Sequence, residues 1–150
     1  MRTSVVLVAL LGFTAAGCPG DNNDKGNGGG GIATPSSATS WTAVADPVVA
    51  ELDSLVAAFE KGDKDGALAS YDRAYFVLYD KDFEDAVRKH LTEMDNGKSV
   101  NVAILREEQF GAIKSFVTHG APAAKVAAKV RELQAKLRED AKKLDDMKVR

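Results

Sequence analysis

The stretch PAAKVAAKVRELQAKLREDAKKLDDM, residues 122–147, carries the clearest pattern in the chain. Val126, Val130, Leu133, Leu137, Ala141, Leu144 and Met147 recur at three- and four-residue spacing, which places them on one side of a helix. Lys, Arg, Glu and Asp, with Ala and one Gln, fill the remaining positions. Pro122 suits the first helical turn, where no backbone N–H is needed. At 1.5 Å per residue, a helix of ~27 residues is ~40 Å long. Its apolar stripe needs partners of similar length, and the sequence upstream supplies them. Gly120 stops a third helix expected from about Val100 to His119, with Val102, Leu105, Ala112, Ile113, Phe116 and Val117. Asp95-Asn96-Gly97-Lys98-Ser99 reads as a loop. Before it, Ala67, Leu68, Tyr71, Tyr75, Leu78 and Tyr79 mark a second helix, capped by Asp63. Its pattern continues through Phe83, Ala86, Val87 and Leu91, with a kink expected near Asp80-Lys81-Asp82. Asp46-Pro47 predicts the start of the first helix, which carries Val48, Leu52, Leu55, Val56 and Phe59 and ends at Gly62. The connections are short, so neighbours pack antiparallel. The expected fold is all-α: an up-down four-helix bundle whose second helix is long or broken.

The folded part spans residues 41–150, one domain's worth of chain. Charge divides unevenly along it. From Asp46 to Asp95 there are 13 acids and 6 bases, a net of −7. From Asn96 to Arg150 there are 7 acids and 12 bases, a net of +5. Two halves that attract one another explain this, as does an acidic face for cations with a basic face for a partner. The whole-chain net of −2 gives no reason to expect nucleic acid.

The other end of the chain has a different character. Residues 1–17 run from a basic start at Arg2 through an apolar stretch, Val5 to Phe13, to small residues, the layout of a secretory signal peptide. Nine apolar residues fall far short of the ~20 that a membrane span needs. Ala15-Ala16-Gly17-Cys18 resembles a bacterial lipobox, although Leu is commoner than Ala at the position of Ala15. The resemblance implies lipidation of Cys18, a membrane anchor, and a mature chain that begins there. Cys18 is the only cysteine, so no disulfide is expected. Residues 18–40 form a tether. Pro19 to Gly31 lacks any apolar side chain, and Ile32 to Ser40 is rich in Pro, Ser, Thr and Ala. Its ~22 residues span a root-mean-square ~25 Å. The expected location is the cell envelope, on the periplasmic or cell-surface side.

Chemistry is sparse. Cys/His metal spacings are absent. Gly28 to Gly31 precedes no strand and so makes no phosphate loop. His90 and His119 lack the partners of a nucleophilic set and sit near helix ends, as surface residues do. Tyr75 and Tyr79 read as core residues with hydroxyls at the rim. No activated nucleophile or base is visible, so the chain is not expected to be an enzyme. One acidic set stands out. Asp80, Glu84 and Arg88 recur every four residues and share a helix face. Two carboxylates one turn apart can chelate a hard cation. With Arg88 they equally form an intrahelical ion-pair ladder.

Ala74-Tyr75-Phe76-Val77-Leu78-Tyr79-Asp80, followed by Glu84 and Val87-Arg88, resembles a pattern in the high-affinity iron permeases. It is similar to the extracytoplasmic helical segment that precedes the membrane domain in many bacterial members. Glu107 and Phe110, then Gly120-Ala121-Pro122 and the final helix, continue the likeness. The chain departs from that family in lacking the membrane domain and in having Asp80 where Glu is usual. Arg106-Glu107-Glu108-Gln109-Phe110 does not complete the transporting Arg-Glu-x-x-Glu motif, because Phe110 stands at the second Glu. The resemblance therefore implies an accessory of iron uptake, not a transporter. Asp80, Glu84 and Glu107 would be its metal ligands, iron or another divalent cation its cargo, and an iron permease or other envelope protein its partner. On a helical wheel Asp80 and Glu84 point away from the apolar stripe. They reach Glu107 only if the helices touch along a second face or the kink near Lys81 rotates Glu84.

A second likeness gives a different class of function. Phe59-Glu60-Lys61-Gly62-Asp63, then Ala67-Leu68 and Tyr71-Asp72-Arg73-Ala74, resembles one tetratricopeptide unit, without the 34-residue period of an array. It implies a helical interaction module that binds an envelope protein and no metal.

Overall fold

The computed structural model describes residues 40–149. Five α-helices, one π-helical segment and one short hairpin follow in order: α1 (Trp41–Glu60), α2 (Lys64–Asp72), the π segment (Arg73–Tyr79), α3 (Asp82–His90), β1 (Thr92–Asp95), β2 (Lys98–Asn101), α4 (Val102–Thr118) and α5 (Ala123–Asp146). The chain is thus predominantly helical, as its composition implies. The expected signal peptide, Cys18 and nearly all of the expected tether lie outside the described residues.

The α5 stripe behaves as its spacing predicts. Val126, Val130, Leu133, Leu137, Ala141 and Leu144 are buried; Met147 alone is exposed. They pack on Ala45, Val48, Leu52 and Leu55 of α1 and on Phe110, Ile113 and Val117 of α4 within one hydrophobic core. Helix α1 packs most extensively on α5 and α2. It runs antiparallel to α5, as two sets of bonds show. Gln134 Nε2 donates to the Val49 carbonyl at 3.1 Å and to Asp53 at 2.7 Å. At the opposite end, the Trp41 amide donates to Asp145 at 2.7 Å and the Trp41 indole to the Val149 carbonyl at 2.9 Å.

Three boundaries differ from the sequence reading, each for a physical reason. Helix α1 begins at Trp41, not at Asp46, because Ser40 caps it, accepting from the Ala43 amide at 3.2 Å. Pro47 consequently lies inside the helix, on its exposed side. The expected loop at Asp95–Ser99 is the tip of a hairpin, with Asp95 opposite Lys98 and Thr92 opposite Asn101. Asn96 (φ 47°) and Gly97 (φ 78°) form its two-residue turn, a left-handed pair that suits Asn-Gly. Helix α4 starts at Val102 because Asn101 caps it, accepting from the Ala103 amide at 3.0 Å.

The break expected near Asp80-Lys81-Asp82 positions the site. The expected second helix is broken into α2, the π segment and α3. The Asp80 amide reaches back five residues to the Tyr75 carbonyl at 2.8 Å. Such a widened turn shifts the phase of every side chain after it. Lys81, at φ −127° and ψ −131°, then leaves helical geometry altogether. As a result Phe83, Glu84, Ala86 and Val87 face inward.

Candidate functional site

The break brings together residues that a continuous helix would hold apart. Glu84 is only 7% exposed, whereas the wheel placed it in water. Glu107 arrives from α4, and Arg88 lies one turn beyond Glu84. The Arg88 guanidinium donates to Oε1 of Glu84 and to Oε1 of Glu107, the latter at 2.5 Å. The Asp80 carboxylate lies close enough to act on the Glu84 charge. Glu84 and Glu107 therefore meet, but around a guanidinium, and Asp80 makes no bond to it among the contacts of the described residues. Among the described residues no group of three or more His, Cys, Asp or Glu side chains is arranged to hold a metal ion.

The electrostatics follow from burial. The Glu84 carboxyl is pushed above its ordinary value, first by desolvation and then by the Asp80 carboxylate, with Arg88 opposing both. Arg88 is held more firmly protonated by its bonds to Glu84 and Glu107. Only two buried side-chain atoms among the described residues lack a hydrogen-bond partner: Oε2 of Glu84 and the hydroxyl of Tyr79. They are neighbours in the electrostatic sense, since the Glu84 charge is second only to burial in raising the Tyr79 pKa.

Aromatic rings wall the cluster. Tyr75 and Tyr79 approach Phe110 at 5.0 and 5.1 Å between ring centroids, and Tyr79 meets Phe83 edge-on at 5.7 Å. Tyr79 is fully buried, hydroxyl included, which corrects the reading of a rim position. Tyr75 is half-buried. On the outer face of the π segment, Phe76 is 51% and Val77 49% exposed. The Lys114 ammonium lies 5.2 Å from the Tyr71 ring centroid and 5.7 Å from that of Phe76. Both histidines are exposed, and His119 Nδ1 lies 2.8 Å from the Ser115 carbonyl on its own helix.

Sequence reasoning missed a second ionic cluster. Arg106 is 1% and Asp140 0% exposed. Arg106 Nε meets Asp140 Oδ2 at 2.7 Å and Nη2 meets Oδ1 at 3.1 Å, a bidentate pair linking α4 to α5. Nη2 also reaches Glu93 of β1 at 3.2 Å. Burial works against the Arg106 charge, yet the bonds to Asp140 hold its pKa above the ordinary value. The signal was available: Arg106 falls on the Val102–Phe110–Ile113–Val117 face of α4. The run Arg106–Phe110 thus splits three ways. Arg106 and Phe110 enter the core, Glu107 turns to Arg88, and Glu108 is exposed.

Comparison with protein-family models, with curated proteins and with solved structures finds no match for this chain.

Proposed function

We propose that the chain is a lipid-tethered, extracytoplasmic accessory protein that works by docking onto an envelope partner and catalyses nothing. The observation that carries this reading is the pair Phe76 and Val77, standing half-exposed on the outer face of the π segment, while Glu84 and Glu107 already share Arg88. Large apolar side chains exposed together, with polar groups at the rim, are the usual mark of a docking surface. The four main helical units, counting α2, the π segment and α3 as one, are read as an up-down four-helix bundle that presents this surface. Tethering through a lipidated Cys18 would confine the domain to the membrane surface where such a partner resides. The likeness of Ala74–Arg88 to iron permeases makes an iron permease the partner of choice. Changing Phe76→Ser together with Val77→Ser is expected to leave stability within about 0.5 kcal/mol, as exposed positions do. The same change should abolish recovery of a co-expressed iron permease. Cys18→Ala should release the chain from the membrane fraction or leave an uncleaved precursor. Undiminished permease recovery by the double variant, or absence of labelled palmitate from the wild type, would sink the proposal.

A metal-binding reading is favoured by a different observation: the unpartnered, buried Oε2 of Glu84 and hydroxyl of Tyr79. For a cation to bind there, Arg88 would have to swing out, and its side chain is 45% exposed. Calorimetry with Fe(II), Mn(II) and Cu(II) tests this directly. Binding by the wild type that is lost when Asp80, Glu84 and Glu107 are all changed to Ala supports ligation. No heat of binding in the wild type leaves docking as the sole reading.

A further inference from the structure

Helix α4 has a second apolar edge, of which Phe116 packs against the core. Leu105, Ala112 and Phe116 lie one side of the Val102–Arg106–Phe110 face and are only half-buried. Two of them, Leu105 and Ala112, floor an open groove of about 340 Å³ between the hairpin, α4 and α5. Its walls have opposite charge. Glu93 and Asp95 of the hairpin and Glu108 of α4 line one side; Lys129 and Lys136 of α5 line the other. The lysines are seven residues apart, so two helical turns separate them along the same face.

From this arrangement we infer that the groove is the contact surface between two copies of the chain. A two-fold axis lying in the plane of contact and running along the groove brings the lysine wall of one copy against the acidic wall of the other. Leu105 and Ala112 then face their own counterparts across the axis. A self-complementary patch of this kind is what an isologous dimer requires. A partner with a single sign of charge would satisfy one wall and be repelled by the other, and that selects a second copy as the occupant. At present Lys129 pairs with Glu132 at 2.8 Å and Lys136 with Glu139 at 3.1 Å along α5. Exposed pairs of that type are worth only ~0–1 kcal/mol, so exchanging them for partners across an interface costs little. Glu93 is held by Arg106 and Lys143 and fixes the position of the acidic wall. The groove lies apart from the Arg88 cluster, so the inference does not depend on the docking function proposed above.

The test reverses each wall separately. One variant carries Asp95→Lys and Glu108→Lys, the other Lys129→Glu and Lys136→Glu. All four positions except the lysine pairs' local contacts are free of long-range bonds, and far-UV circular dichroism verifies the helical content of each. Sedimentation of the full-length chain in non-ionic detergent should show a wild-type dimer that weakens as salt is raised. Each variant alone should associate at least ~100-fold more weakly, because like charges then face one another. Mixed together, the two variants should form a heterodimer, since one now has two basic walls and the other two acidic ones. A monomeric wild type, or variants that dimerise as tightly alone as mixed, would overturn the inference.

Discussion

Asp140→Ala is expected to destabilise the chain by about 3–5 kcal/mol, the cost of leaving one member of a buried ion pair without its partner. Asp140 is fully buried, and both of its oxygens bind Arg106. With Asp140 gone, the guanidinium keeps only Glu93 at 3.2 Å and a long contact to Gln109 at 3.4 Å. Its desolvation is then uncompensated. A stability of 5–15 kcal/mol is usual for a domain, so the loss takes away a large share of it. The paired replacement Arg106→Met with Asp140→Leu separates this cost from the worth of the pair itself. Filling the same space with apolar groups is often neutral or stabilising. Urea unfolding of the wild type, the single and the double variant measures both quantities. A single variant within about 1 kcal/mol of wild type would show that water reaches Arg106 and that the pair is not sealed.

Leu133→Asp should be the more damaging change, with a loss of at least ~4 kcal/mol. Leu133 is fully buried in the middle of α5, between the α1 and α4 sides of the core. The substitution removes a packed side chain and inserts a charge with no cation beside it. Met147→Asp is the matched control. It belongs to the same sequence stripe but is 53% exposed, so its effect should stay within about 0.5 kcal/mol. The contrast is read as the loss of the helical circular dichroism signal at 25 °C in one variant and its retention in the other. Equal behaviour of the two would mean that the stripe is not the core seam.

What could be read from the sequence depended on how far each element relies on periodicity. Helix α5 was legible residue by residue because one face alternates cleanly with a charged one. The hairpin was not, although Asn96-Gly97 is the strongest short signal for one. Its strands are four residues each and contain only Met94 and Val100 as apolar residues, too few for an alternating pattern. The π segment was illegible for the opposite reason. Ala74 to Tyr79 is an unbroken apolar and aromatic run, and nothing in it fixes which residues face inward. The sequence did point to a kink near Lys81, and that kink is what turns Glu84 inward. Of the acids grouped from the sequence, Glu84 and Glu107 come together on Arg88, which was weighed only as a ladder partner along its own helix. Its bond to Glu107 on α4 depends on tertiary packing that one helix face cannot reveal. Arg106 was passed over because charged residues are rarely buried without a visible partner, and Asp140 lies 34 positions away.

The bonds that join Trp41 to Asp145 and Val149 have a mechanical consequence. Thr42 adds two more contacts to Asp145, from its amide at 3.1 Å and its hydroxyl at 2.8 Å. The Trp41 ring also stacks against Phe83 at 6.1 Å. A pull applied along the chain at Ser40 therefore meets the last turn of α5 and Phe83 of the core at its first helical residue. Helix ends ordinarily fray first under such a load. Here the first turn of α1 is riveted to residues more than a hundred positions downstream, so tension spreads into two helices at once. A domain built in this way can be held on a leash without being unwound by it.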